Sequence, residues 1–206
     1  MPLLSLVRYL HSKGYFCKKI ISLELIEALG QYIKVDDAIR NFLLTETETK
    51  TYPKNNLLVK CGQFNKTVFF MEKGLARNFY LENGNAITAN FYMEGKTFGS
   101  IDTIFTRQPT RYCIETLEES VITSCNYEKL ENFCATSLPA ANFSRFLIGN
   151  MMTQTLNRLT SLQHMTAREK YEQLLQNNPG IILRAPLGMI ASYLGISQET
   201  LSRIRN

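Results

Sequence analysis

Gln198, Glu199, Ser202 and Arg203 are the residues whose types and spacing carry the clearest chemistry in this chain, and that chemistry is recognition rather than catalysis. An arginine fork suits the two acceptors of a guanine edge. A glutamine amide suits adenine, and a carboxylate accepts from the cytosine amino group. To act together these side chains must project from one face of a helix. Leu201 and Ile204 supply the opposite face. With both turned inward, a rotation of about 100° per residue points Glu199, Ser202, Arg203 and Asn206 outward, with Gln198 at the flank. Ser197 is an N-cap type that would open this helix. The candidate DNA-contacting set is Ser197, Gln198, Glu199, Thr200, Ser202 and Arg203.

A second helix must hold the first in place, and Leu187–Arg205, after Pro186, reads as two short helices joined by a tight turn. Ile190 and Ala191 lie on the first helix, with Leu194, Gly195 and Ile196 at the corner. Ala191 is small where the second helix would cross close to it. Gly195 stands where the chain must turn sharply, a conformation that costs a residue with a β-carbon. Leu194, Ile196, Leu201 and Ile204 would form the shared core. A helical hairpin with a merely solvated polar face is the competing reading. The joint match of small residue, glycine and four apolar positions favours a helix-turn-helix.

Little else in the sequence could do chemistry. The two histidines, His11 and His164, lie far apart, and the five cysteines, Cys17, Cys61, Cys113, Cys125 and Cys134, contain no C-x-x-C pair. The odd cysteine count fits buried thiols in a reducing compartment better than a disulfide framework. No metal site and no catalytic residue is expected, because Gly-rich phosphate loop, nucleophile elbow and paired-carboxylate helix are all missing. With 206 residues there is room for one large domain or two small ones. The net charge of +5 mildly favours a polyanionic partner. From Arg158 onward six Lys/Arg face three Glu, so the motif and not the charge carries the DNA reading. Arg8 interrupts the apolar run LLSLV near the N-terminus, which is too short for a membrane span and lacks a cleavage site. A cytoplasmic location without membrane contact is expected.

Before the recognition segment the chain divides into four regions. Residues 1–22 are basic and without periodicity, an N-terminal extension. From Leu23 an amphipathic helix is expected (Leu23, Ile26, Leu29–Gly30, Ile33), then a short helix over Asp37–Leu44 and a polar Thr/Glu connection. Thr51–Asn126 changes character: Leu57–Val59, Val68–Met71, Ala76–Tyr80, Ile87–Tyr92, Tyr112–Thr116 and Val121–Ser124 are strand-like runs separated by turn signals. Asn83–Gly84 is a hairpin cue. Strands this short suggest a small sandwich or rolled barrel whose interior would take a small ligand. After Asn126, an N-cap candidate, the chain turns helical. Leu138–Met165 carries Leu147, Ile148, Met151, Met152, Leu156, Leu159 and Leu162 at steps of three and four, a core helix or half of a two-helix dimer contact. Thr166-Ala-Arg-Glu169 is a capping box opening a helix to about Gln176, ended by Asn178–Pro179–Gly180.

In this order the chain resembles the Crp/Fnr family of bacterial transcription regulators from Leu23 to the end. IASYLGISQETLSRIR, most like Bacteroidetes-type members, is the specific segment; Glu72-Lys73-Gly74 and Phe98–Gly99 also fit the family's roll. The resemblance implies an α+β fold: an N-terminal double-stranded β-helix (a jelly-roll-like cyclic-nucleotide-binding fold, 23–137), a dimerisation helix (138–165) and a C-terminal helix-turn-helix domain (166–206). It further implies a homodimer reading near-palindromic double-stranded DNA through successive major grooves, with RNA polymerase as a further partner. The effector pocket of this resemblance comprises Phe98, Gly99, Ser100, Thr110, Arg111 and Tyr112, and here the sequence departs from the family. Cyclic-nucleotide-binding members carry Phe-Gly-Glu and Pro-Arg-Ser/Thr-Ala. Here Ser100 follows Phe98–Gly99, and Arg111 comes one place late after Pro109–Thr110. If the following strand starts there, a one-residue shift points Arg111 to the opposite face, and the ligand position would carry neither charged anchor. Cyclic AMP is therefore not expected; another small-molecule effector, or none, is. Cys17 alone does not make the family's iron–sulfur cluster, and neither histidine is a persuasive haem ligand. The family's β-hairpin wing is not expected after Arg205, which leaves helix termini, Lys170 and Arg184 for phosphate contacts. A ligand-binding signalling module whose C-terminal helices contact protein instead of DNA is the alternative.

Overall fold

The computed structural model describes residues 23–205; the expected extension 1–22, with His11 and Cys17, and Asn206 lie outside the described residues. The chain opens with α1 (Leu23–Gly30) and α2 (Asp37–Glu46). The Asp36 carboxylate caps α2 by accepting from the Ile39 N–H at 2.9 Å. Ile39, Phe42 and Leu43 of α2 pack against Leu25, Ile26, Leu29 and Ile33, and against Leu130 and Phe133 further on.

Eight strands follow: β1 (Thr47–Tyr52), β2 (Leu57–Val59), β3 (Thr67–Lys73), β4 (Ala76–Glu82), β5 (Asn85–Tyr92), β6 (Thr97–Gly99), β7 (Cys113–Thr116) and β8 (Ser120–Asn126). They form two four-stranded antiparallel sheets, β1-β8-β3-β6 and β2-β7-β4-β5. This is the jelly-roll architecture expected. Apolar residues at alternate positions, including Phe69, Met71, Ala76, Phe98, Ile114 and Ile122, fill the space between the sheets. At Gly74 (φ +116°) an added Cβ would stand 2.3 Å from Ser120 Oγ, so the β3–β4 corner has room only for glycine.

Two strands escape a reading by hydrophobicity. β1 lies in the polar Thr/Glu stretch taken as a connection, and between its end residues every side chain is exposed. It is an edge strand held by its register with β8, where Thr49 stands opposite Thr123 with hydroxyls 2.7 Å apart. β6 is three residues long, too short for a period to register. The expectation of reduced cysteines is corrected for two of them: Cys61 and Cys113 form a disulfide, their Cα atoms 4.7 Å apart. Pairing of β2 with β7 brings them together across 52 residues, which their spacing does not announce. Cys125 and Cys134 are half-buried and outside the bridge.

The helical half begins at α4 (Tyr127–Thr136), after the short α3 (Ile101–Thr106) inside the roll. Asn126 caps α4 as expected. α5 (Leu138–His164) is 27 residues long, roughly 40 Å at 1.5 Å per residue. Its capping Ser137 and first-turn Pro139 fix the start. Ala140 and Ser161 on one side are buried and Phe143, Leu147 and Met151 half-buried, whereas Ile148, Met152, Leu156, Leu159 and Leu162 are exposed. The apolar positions thus split between two faces. α6 (Ala167–Asn177) starts at the expected Thr166/Glu169 capping box. Asn178 ends it, but Pro179–Gly180 opens a further short helix, α7 (Pro179–Arg184), because proline is at home in a first helical turn. α8 (Leu187–Leu194) and α9 (Gln198–Arg205) complete the described chain.

Candidate nucleic-acid interface and sensor segment

The corner between α8 and α9 is built as its spacing suggested. Ile190, Ala191, Leu194 and Leu201 are buried, and Ile196 and Ile204 pack against them. Gly195 is left-handed (φ 69°, ψ 36°) and returns its N–H to the last turn of α8. The Thr200 N–H donates to Ser197 Oγ at 3.1 Å, which makes Ser197 the N-cap of α9.

Leu201 anchors α9 from below, and Ser197, Gln198, Glu199, Ser202 and Arg203 are exposed on its outer side; Thr200 is half-buried. Arg203 Nη2 donates to Thr200 Oγ1 at 3.4 Å. Hydrogen bonds from its own backbone and from Ser197, with Arg203 nearby, hold the Glu199 carboxyl below its ordinary pKa. At neutral pH the face therefore offers one anion and one cation together with amide and hydroxyl groups.

The corner is seated on the β2-β7-β4-β5 sheet. Leu75, Phe91 and Leu117 of the roll share one buried cluster with Leu174, Ile181, Ile190 and Leu194. The Thr88 N–H donates to Ser192 Oγ at 2.9 Å, while Thr88 Oγ1 accepts from Arg77 at 2.8 Å and Arg77 pairs with Glu115 at 2.7 Å. Arg184, expected as a phosphate contact, is corrected. Its guanidinium is held by Glu94 at 2.8 and 3.0 Å and by Glu118, both on turns of the roll. Burial works against the Glu94 charge, yet Arg184 and the Gly74 N–H hold its pKa down at about 2. Four of its five N–H donors are thus taken and its charge is offset by two carboxylates, which leaves it poorly placed to hold a phosphate. Neither this latch nor Arg158, which donates to the Tyr193 carbonyl and covers its ring at 3.8 Å, could be found from local spacing.

In the sensor segment, Phe98 is buried in the roll, stacked on Tyr92 (4.6 Å) and Phe69 (5.3 Å). Gly99 is buried, and a Cβ there would stand 2.7 Å from the Thr67 carbonyl oxygen. Ser100 and Thr103 are buried with hydroxyls that meet no hydrogen-bond partner. Thr110 is buried and donates to both Asp102 carboxylate oxygens (2.9 and 3.0 Å); the Arg111 N–H donates to the same group at 3.1 Å. The Arg111 side chain is exposed, but not by strand register: β7 starts only at Cys113, so Arg111 lies in the turn before it, and Tyr112 is half-buried edge-on to Tyr80. Asp102 is the residue that sequence reasoning missed. Its carboxylate ties the start of α3 to the Thr110–Arg111 turn.

Two cavities lie outside the roll's interior. One, of about 300 Å³, separates α1 and α2 from the β1-β8-β3-β6 sheet and α5 and is lined mostly by apolar side chains. The other, of about 760 Å³, lies between β5, α5 and α6 and is largely polar. Among the described residues, no helix is long and apolar enough to cross a membrane. No group of three or more His, Cys, Asp or Glu among them could hold a metal ion.

Residues 49–137 match the cyclic nucleotide-binding domain. FixK2 from Bradyrhizobium japonicum superposes with a TM-score of 0.69 at 18% identity, over 77% of this chain and 82% of that one. The fold is that of the Crp/Fnr regulators. A protein from Eubacterium rectale assigned to the Crp/Fnr family of transcriptional regulators gives 0.66 at 16% identity, over 84% and 85% of the two chains. A CooA variant from Carboxydothermus hydrogenoformans gives 0.65 at 18% identity, over 84% of each. At these identities the likeness is one of fold. No curated protein matches the sequence significantly. In the segment from Phe98 to Tyr112, a buried Ser100 follows Phe98–Gly99, the Arg111 side chain faces solvent, and the Asp102 carboxylate is bonded into the Thr110 turn.

Proposed function

We propose that this chain is a transcription regulator that binds near-palindromic double-stranded DNA as a homodimer in the cytoplasm, without enzymatic activity, and acts together with RNA polymerase. The observation that carries the reading is the outer face of α9. Gln198, Glu199, Ser202 and Arg203 are all exposed there while Leu201 is fully buried beneath them. A short helix so anchored can enter a major groove without disturbing its own core. The exposed stripe Ile148, Met152, Leu156 and Leu159 on α5 supports pairing with a second copy, since a two-helix seam buries such a stripe. The segment Phe98–Tyr112 is read as a structural turn of the roll and not as a nucleotide anchor.

The test is a gel-shift salt titration on fragments selected from random DNA. Phosphate contacts give a steep fall of affinity with salt, about 0.9 log units per contact and log unit of salt. A flat response would favour a protein partner for α9 instead. Met152→Glu combined with Leu159→Glu should yield monomers in sedimentation and abolish binding to two-half-site DNA. A double variant that stays dimeric would locate the interface elsewhere.

A further inference from the structure

The cleft of about 760 Å³ between the roll and the DNA-binding helices has a lining of one sign. Lys96 from the turn before β6, Arg158 from α5 and Lys170 from α6 all border it, and no aspartate or glutamate does. Asparagine and glutamine amides (Asn90, Gln154, Gln173) and the Thr155 hydroxyl fill much of the remaining wall. The acids of the flanking elements are engaged elsewhere. Glu94 is bound to Arg184 and to the Gly74 N–H, Glu169 closes the capping box with Thr166, and Glu172 lies 3.8 Å from Arg168. Of the three cations, Arg158 has only the Tyr193 carbonyl and ring as partners, and Lys96 and Lys170 make no ion pair among the described residues.

A concave wall carrying one sign of charge concentrates counter-ions inside it. Arg158 and Lys170 are half-buried and Lys96 is exposed at the rim; half-buried cations without carboxylate partners gain more from an anion than exposed ones, because less water competes. The volume falls within the range of about 300–1,000 Å³ usual for metabolite sites, which favour domain boundaries such as this one. We propose that the cleft binds a small polar polyanion, a metabolite with two or more phosphate or carboxylate groups. Such a ligand would touch the roll through Lys96, the long helix through Arg158 and the DNA-binding unit through Lys170. It would thus couple the three without entering the roll.

Titration calorimetry of the full chain with inorganic pyrophosphate and with citrate, at matched ionic strength and without DNA, tests this. Binding of at least one probe at one site per chain is expected. Pyrophosphate alone would assign the phosphorylated class, citrate alone the polycarboxylate class, and both together recognition by charge. Lys96→Gln and Lys170→Gln should each weaken binding about tenfold, as expected for loss of one charge-assisted contact. Lys54→Gln, on the exposed turn after β1, should leave it unchanged. Arg203→Ala should also leave it unchanged, even where it has lost DNA, which separates this cleft from the reading face of α9. Absence of heat with both probes would overturn the proposal. So would a Lys96→Gln/Lys170→Gln double variant that binds like wild type, or loss of probe binding in Arg203→Ala.

Discussion

The corner Leu187–Arg205 and the segment Phe98–Tyr112 are both short stretches of helix and turn, and they treat their polar groups in opposite ways. In the corner, apolar residues make the core, Ser197 caps the second helix, Ser192 is tied to the Thr88 N–H, and Gln198, Glu199, Ser202 and Arg203 are exposed. In the sensor segment Ser100, Thr103 and Thr110 are buried, and Asp102 is consumed by the backbone and the Thr110 hydroxyl. A surface that leaves its polar groups free is available to a partner, and we read the outer face of α9 that way. The segment instead spends Asp102 and Thr110 on its own turn and leaves the Ser100 and Thr103 hydroxyls buried without a partner.

The sharpest way to break the corner is at Leu201, which is fully buried. Leu201→Ala removes its contacts with α8 and should cost about 2–5 kcal/mol of stability in chemical denaturation, the range for a leucine truncated in a packed core. A loss well under ~1 kcal/mol would mean that α9 is held by contacts other than this core.

Arg203→Ala tests the other half of the comparison, the free polar face. It should leave stability unchanged and cost about 1–3 kcal/mol on the cognate DNA site, with specificity relaxed at one symmetric base pair. Arg203→Lys should not rescue it, because a point charge cannot copy a two-pronged contact. Identical base preferences for wild type and Arg203→Ala in site selection would remove this residue from the reading face.

These two regions also differ in how much of them was legible in the sequence. The corner's determinants, from Ile190 to Ile204, are local in sequence and follow the helical period, and so do the caps at Asn126 and Thr166. The strand-rich stretch was legible wherever apolar runs recur, which left out β1 with its exposed side chains and the very short β6. What depends on pairing across the fold was not legible. Arg184 meets Glu94 and Glu118 only once α7 is docked on the roll, and Cys61 meets Cys113 only once β2 pairs with β7. Asp102 reads as an ordinary helix-start acid until the loop at Thr110 folds back on it.

The Arg184 latch between α7 and the turns of the roll predicts a smaller, pH-dependent effect. Glu94 has an ordinary pKa near 4.5 and is held at about 2 in the folded protein. The unfolded chain takes up this proton first, so the latch stabilises the fold above about pH 4.5, and that contribution drains away as pH falls toward about 2. Because Glu94 is partly exposed, salt and solvent reduce the effect. Glu94→Gln should therefore lie closer to wild type at pH 2.5 than at pH 7 in denaturant midpoints. A constant gap across this window would show that the carboxylate is not what Arg184 holds.

The smallest expected effect is none at all, and it is the most direct test of the sensor half. A ligand at a hundredfold excess over its dissociation constant stabilises by about 2.7 kcal/mol, and each kcal/mol moves the melting temperature by about 2–4 °C in a chain of this size. Cyclic AMP should produce no such shift, because Ser100 follows Phe98–Gly99 where the resembling family has a carboxylate, the Arg111 side chain faces solvent, and the Asp102 carboxylate beside it would repel a phosphate. Asp102→Asn sharpens the point: it removes the repulsion but supplies no cation, so it too should stay silent while losing some stability at the Thr110 turn. A shift of several degrees with wild type would mean that the segment rearranges around the nucleotide. A shift only in Asp102→Asn would single out the Asp102 charge as what excludes it.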